Sequence, residues 1–274
     1  MGKKAIIWTI VIVVLLIIVG IFFSLTSSAT TPSLLYVEKG EVLVDKGSGY
    51  VAAADEMELN ENWKIKTGEN SEASIVFYES DIIMLEPNTE LIVSEIKPDR
   101  IKTETTTGET THTVGKITGT RSYEAKTPTA VATVRGTIFT LSPENDEALL
   151  YEGILDLKVG EENLKLDQNK KSMLSKAEVI DMNDEDKQRF QNKKLRLMHK
   201  YKKLRLREMN KKPFVVGTIK KMYKMDDEKI NKWLQEADEG KRDLNDAERR
   251  IPFKIKSVNK VRRMTERIRD INKI

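Results

Sequence analysis

The chain has 274 residues, 47 Lys plus Arg against 43 Asp plus Glu, and a formal net charge of +4. It contains no cysteine, which excludes disulfides, thiol nucleophiles and cysteine-ligated zinc or iron–sulfur sites. The modest net charge hides an asymmetry: residues 1–179 are net −9 and residues 180–274 net +13, so a boundary between an acidic and a basic part is expected near residue 180.

The 19 residues Ala5–Phe23 carry no charge and are almost all apolar, with Lys3 and Lys4 just before them. A helix of that length crosses the hydrocarbon core of a bilayer, and lysines on one side keep that end in the cytoplasm. The reading is a cytoplasmic tail at 1–4, a transmembrane signal-anchor helix at 5–24 and a small, polar linker at 25–33. The protein is then a single-pass cell-membrane protein with its bulk extracytoplasmic. The rival is a cleaved signal peptide, with Ser27-Ser28-Ala29 offering small residues to a peptidase. Both readings export the remainder.

From 34 to 179 the pattern is short strands. They are expected at Leu34–Glu38, Glu41–Asp45, Tyr50–Ala54, Glu72–Tyr78, Ile82–Leu85, Glu90–Glu95, Ser122–Thr127, Thr137–Ser142, Ala148–Glu152 and Ile154–Val159. Several alternate with period two, and Gly, Pro and Asn punctuate them. Many short strands at near-regular spacing indicate an all-β sandwich, barrel or wound solenoid. Thr103–Thr113, TETTTGETTHT, reads as a solvated hairpin or loop, with a glycosylated or phosphorylated loop as the sharper alternative.

Past residue 180 the texture becomes helical. Asp184 through Met209 is charge-dense, with Phe190, Leu197, Met198, Tyr201, Leu204 and Met209 on one face and Pro213 as its stop. Asp226-Asp227 caps a second helix with Ile230, Trp233, Leu234 and Ala237 along its stripe and Gly240 at its end. A short third helix is expected at Asp243–Arg250. A last one runs from about Ile255 to Ile271.

The most specific string is Thr127-Pro128-Thr129-Ala130-Val131-Ala132-Thr133-Val134-Arg135-Gly136-Thr137-Ile138-Phe139. Physically it is a Pro-initiated extended segment, a Gly that permits a bend, and a strand. Arg135, the one charge there, suits a structural hydrogen-bonding role to carbonyls or a carboxylate, with ligand recognition as the alternative.

This string resembles the signature of the FecR family, membrane sensors of iron-siderophore signalling. Other segments resemble that family in order: Val42–Val44 after Gly40; Ile65-Lys66-Thr67-Gly68 followed by Ser71, Ala73, Ile75 and Phe77; Leu85, Pro87, Asn88, Thr89 and Leu91; Gly115-Lys116-Ile117; and Glu152-Gly153 with Leu155 and Leu157. The resemblance spans about residues 34–176. It implies an exported all-β module in which Thr127, Pro128, Arg135, Gly136, Thr137, Phe139 and Gly153 carry the fold. Two departures stand out. Glu79-Ser80-Asp81 replaces the family's Asp-Gly-Ser turn. Only Met1–Lys4 precede the apolar run, where iron-sensor members carry an anti-sigma region. The classical relay is therefore not expected.

The stretch Lys187–Lys212 carries twelve Lys or Arg against one acid, Glu208. Lys193, Lys194, Arg196, Lys200, Lys203 and Arg207 are the candidate anion-binding residues, with anionic lipid, acidic envelope polymer or an acidic protein face as partner. A solvated helix docking onto the acidic β module is the equal alternative. Nucleic acid is disfavoured because only Phe190 and Tyr201 are aromatic there. No metal-binding, nucleophile-elbow or phosphate-loop motif is present, so no cofactor, no metal and no catalysis are expected. The reading is a mainly β protein with one N-terminal transmembrane helix, an all-β domain (solenoid, roll or sandwich) and a charged helical C-terminal region. It acts as a non-enzymatic binding or signal-linked scaffold at the cell envelope. The alternative is an adhesive module using the basic tail. The oligomeric state stays open.

Overall fold

The computed structural model describes residues 33–78, 80–115, 121–134, 136–242 and 256–274. The chain divides into two compact units: residues 31–200 with 270–274 form one, and residues 201–269 belong to the other.

Among the described residues, the first unit holds eighteen strands. They are β1 (Ser33–Lys39), β2 (Val42–Asp45), β3 (Tyr50–Ala52), β4 (Met57–Glu58), β5 (Trp63–Thr67), β6 (Glu72–Phe77), β7 (Asp81–Leu85), β8 (Glu90–Lys97), β9 (Arg100–Thr107), β10 (Thr110–Thr113), β11 (Ser122–Lys126), β12 (Ala130–Val134), β13 (Ile138–Ser142), β14 (Glu147–Glu152), β15 (Leu155–Val159), β16 (Glu162–Leu166), β17 (Lys170–Met173) and β18 (Glu178–Asp181). They make two nine-stranded sheets. Sheet A runs β18-β17-β14-β13-β10-β7-β6-β1-β4, and sheet B runs β16-β15-β12-β11-β9-β8-β5-β2-β3. Beyond its first turns the chain lays mostly two strands in one sheet, then two in the other.

One apolar core joins the two sheets. Sheet A contributes Leu35, Ile75, Phe77, Ile83, Leu85, Phe139, Leu141 and Leu150. Sheet B contributes Val44, Ile65, Leu91, Val93, Ile101, Tyr123, Leu155 and Leu157. Sheet B alternates as one-sided burial requires, with Lys64, Lys66, Asp156 and Lys158 turned to solvent between buried neighbours. Sheet A does not alternate: β7, β10 and β13 are buried at every position. A strand buried on both faces needs a cover on the side away from its partner sheet.

Two glycines fix the corners. Gly108, between β9 and β10, has φ +76°, and a Cβ there would lie 2.5 Å from the Thr89 Cα. Gly153 has φ +90°, and a Cβ would lie 2.5 Å from the Gly136 carbonyl oxygen. Both positions exclude any L side chain by conformation and by space together.

Of the architectures left open by the strand pattern, the sheets form a sandwich and not a wound solenoid: the ladders are antiparallel, and β9–β11 is the parallel pair among the described residues. Two expectations are corrected. No helix among the described residues is long and apolar enough to cross a membrane, and the transmembrane helix expected at 5–24 lies outside those residues. The threonine-rich stretch is not a solvated hairpin. β9 belongs to sheet B and β10 to sheet A, with Thr103, Thr105, Thr110, Thr111, His112 and Thr113 all buried. The Thr105 hydroxyl pairs with Thr110 at 2.8 Å and that of Thr111 with Thr140 at 2.8 Å, so burial leaves these three satisfied, whereas the Thr103 and Thr113 hydroxyls are buried without a hydrogen-bond partner among the described residues.

Four helices follow the strands: α1 (Asp184–Asn210), α2 (Pro213–Tyr223), α3 (Asp227–Asp238) and α4 (Lys256–Lys273). Pro213 does not merely stop α1; it starts α2 from the first helical turn, where its missing N–H costs nothing. The helix expected at Asp243–Arg250 lies outside the described residues. In the second unit, Leu204, Ile230, Leu234, Ala237, Met264 and Ile268 are buried. Arg205 forks onto Asp238 and also donates to Thr265 at 2.9 Å. The Asp226 side chain caps α3 by accepting from the Lys229 N–H at 2.8 Å.

Candidate functional site

Helix α1 begins with a reciprocal cap. The Asp186 N–H donates to Asn183 Oδ1 at 2.8 Å, and the Asn183 N–H donates to Asp186 Oδ2 at 3.0 Å. Asp184, Glu185 and Asp186 in the first turn suit the positive end of the helix dipole. Arg189, Lys193, Arg196 and Lys200 then recur at intervals of four, three and four residues, which places them on one face.

Each of these cations meets carboxylates of sheet A, in spatial order. Arg189 donates to Glu147 at 2.7 Å and to Glu109 at 2.6 Å. Lys193 pairs with the same Glu109 and reaches Thr140 Oγ1 at 3.4 Å. Arg196 bridges Glu72 at 2.7 Å and also holds Glu86. Lys200 pairs with Glu38 and stands 3.4 Å from the centre of the Tyr36 ring. Glu147 belongs to β14, Glu109 immediately precedes β10, Glu86 immediately follows β7, and Glu72 and Glu38 belong to β6 and β1. That is the order of neighbours across the sheet, so residues 189–200 of the helix cross the strands of sheet A. Phe190 anchors this row by stacking on Tyr151, centroids 4.0 Å apart.

The row is largely withdrawn from water. Side-chain exposure is 6% for Lys193 and 5% for Lys200. Lysine is rarely buried without a partner, and here each has one. Burial works against the Arg189 and Arg196 charges. The hydrogen bonds and charge of Glu147 and Glu109, and of Glu86 and Glu72, more than offset it and raise both guanidinium pKa values. Lys171 completes the row, 2.8 Å from Asp186 and 3.8 Å from Glu147.

On the other face of sheet A, His112 is fully buried. Its Nδ1 lies 2.7 Å from the Tyr123 hydroxyl of sheet B and its Nε2 2.9 Å from Thr110 Oγ1. It stacks on Phe139 at 4.7 Å. Burial pushes its pKa down to about 3, so it is a neutral cross-sheet hydrogen-bonding group.

The residues singled out from the sequence fall in three places. Thr127 and Pro128 form the turn into β12: the Ala130 N–H donates to Thr127 Oγ1 at 3.0 Å and the Thr127 N–H to the Ala130 carbonyl at 2.8 Å. Gly136, Thr137 and Gly153 meet at the next corner, and Phe139 lies farther along in β13, stacked on His112. At that corner Thr137 exchanges backbone bonds with Val114 at 2.9 and 3.0 Å, and Gly153 backs onto the Gly136 carbonyl. Arg135 lies outside the described residues. Of the cations, Lys193, Arg196 and Lys200 are held by glutamates, and Lys194 donates to the Asn272 carbonyl at 3.2 Å. Lys203, exposed, and Arg207, half-buried, belong to the second unit. No local motif marks the five glutamates, Tyr36 or Tyr151, and the acidic balance of residues 1–179 is their only signal in the sequence.

A two-sheet sandwich strapped by a basic helix is the class of domain this geometry defines. A family model described as FecR protein matches residues 64–154, so the chain carries a FecR-family domain there, narrower than the span of the sequence resemblance. Two crystal structures of a protein from Parabacteroides distasonis described as a candidate anti-sigma factor, at 2.50 and 1.65 Å, are similar to this chain. Each has 16% identity and a TM-score of 0.38, over 44% of this chain. The chain spans 59% of the length of each of those structures. Comparison with curated proteins gives no match.

Matched residues 64–154 cover nearly all of β5 and then β6 to β14. In sheet A these are the adjacent strands β14-β13-β10-β7-β6, and in sheet B the adjacent strands β12-β11-β9-β8-β5. The family segment is thus the centre of both sheets, and the rest of the unit flanks it. Glu72, Glu86, Glu109 and Glu147 lie inside the match; α1 lies outside it.

Proposed function

We propose that this chain is a non-enzymatic, signal-linked binding scaffold at the cell envelope, with its sandwich on the extracytoplasmic side. One observation carries the reading: the FecR-matched strands form the central body of a sandwich in which Thr105, Thr110, Thr111, His112 and Tyr123 are tied to one another or to neighbouring strands and the sheet-A glutamates are tied to α1. Thr110, His112 and Tyr123 bridge the sheets, and the glutamates of sheet A hold helix cations. Such a body presents surface rather than reactive groups. The solvent-facing side of sheet B, with Lys64, Lys66, Asp156 and Lys158, is the face left for a partner. The uncharged run Ala5–Phe23 behind Lys3 and Lys4 supports export.

Two arms test this. Protease added to intact spheroplasts is expected to digest residues beyond 34, and a fully protected chain contradicts the location. A photo-crosslinking residue at position 158 is expected to capture one discrete protein adduct in cells. Absence of any adduct there, with the chain folded and present, contradicts the binding role.

A further inference from the structure

Helix α2 has the sequence PFVVGTIKKMY and lies between lysines: Lys211 and Lys212 before it, Lys220 and Lys221 in its last turn, Lys224 just beyond. No acid occurs between Glu208 and Asp226. Lys220 bridges to Asp227 at 2.6 Å, whereas no ion pair engages Lys211, Lys212, Lys221 or Lys224 among the described residues. The apolar side chains described in the helix are not buried. Val216 and Ile219 are half-buried, and Met222 is 49% exposed. A Cβ added at Gly217 would meet nothing within 4 Å. Helix α3, of similar length, buries Ile230, Leu234 and Ala237. An 11-residue helix is too short to be stable in water on its own account, so the half-buried and exposed apolar side chains of Val216, Ile219 and Met222 call for a further surface.

We propose that α2 docks on an anionic phospholipid surface. Val216, Ile219 and Met222 recur every three residues and form a stripe that can enter the headgroup boundary. The lysines at both ends then meet lipid phosphates while their stems cover the stripe's margins. At 1.5 Å per residue the helix is roughly 16 Å long, which suits lying in the interface and rules out spanning it. A soluble polyanion would satisfy the lysines and leave the apolar stripe in water, so the combination favours lipid. The inference goes beyond the scaffold reading and does not depend on it: α2 can fail this test while position 158 still captures a partner.

The absence of native cysteine makes the test specific. In the full-length chain, Met222→Cys carries an environment-sensitive fluorophore, with Leu195→Cys, 68% exposed in the wild type, as the control site. Vesicles are phosphatidylcholine alone or with about one-third phosphatidylglycerol, a surface to which each lysine adds roughly fivefold in affinity. The label at 222 is expected to brighten severalfold and shift blue on the anionic vesicles, and to be quenched from within the bilayer. The label at 195 stays unchanged. Lys221→Gln with Lys224→Gln moves the 222 response to higher phosphatidylglycerol content, and Lys221→Gln alone moves it less, should the double variant lose helicity. A silent label at 222, an equal response in pure phosphatidylcholine, or a response to soluble polyphosphate without lipid overturns the proposal.

Discussion

Sheets A and B are each nine strands long, yet they solve burial differently. Sheet B follows the one-sided rule: apolar residues face the core and charges face water. The central strands of sheet A, β7, β10 and β13, are buried on both faces. The sheet's inner face is packed by the apolar core, and its outer face is crossed by a helix dense in lysine and arginine. The difference teaches that a charged helix can act as a packing layer when the acids beneath it are spaced to receive it. Arg189, Lys193, Arg196 and Lys200 bury their stems over the strands while their heads end on glutamates.

The comparison can be broken first on the inner face. Phe139→Ala removes a ring with no solvent exposure that stacks on His112, and is expected to cost about 3–5 kcal/mol in urea unfolding. The outer face should respond nearly as strongly, through charge. Glu109→Gln and Lys193→Met each leave a buried partner short of a counter-charge, at about 2–3 kcal/mol apiece. Their double variant should recover about 1–2 kcal/mol of the sum; strict additivity would mean that the pair is not coupled.

A pH series sharpens the contrast. His112 is held neutral to about pH 3 in the folded chain, against an ordinary value of 6.5. The unfolded state therefore binds the extra proton. Stability from this group is complete above pH 6.5 and falls as pH drops from 6.5 toward 3, at up to about 1.4 kcal/mol per pH unit. His112→Gln should remove that part of the slope, and a slope equal to wild type in the variant contradicts the assignment. The smallest effect is expected on sheet B: Lys158→Ala, on its solvent face, should change stability by less than about 0.5 kcal/mol.

Much of the sandwich is legible in the sequence because local rules act there. Ala73, Ile75 and Phe77 alternate within β6, and Asp226 announces the cap of α3. The threonine-rich stretch misleads because composition reports polarity and not pairing: Thr105, Thr110, Thr111 and His112 look solvated one by one and are satisfied only together. Pro213 reads as a helix stop and equally well as a helix start. The strap is the least legible feature. Arg196 meets Glu86 across 110 residues and Lys200 meets Glu38 across 162, so no local periodicity records the match. A row of cations at helical spacing looks the same whether its partners are lipid, polymer or the chain's own glutamates.

Amide hydrogen exchange along α1 tests the strap most directly. If residues 190–200 are a layer of the sheet unit, their amides exchange as slowly as those of β10 and β13, and Glu109→Gln speeds them. Exchange at the rate of a solvated helix, indifferent to Glu109, would contradict the strap and return these cations to the solvent.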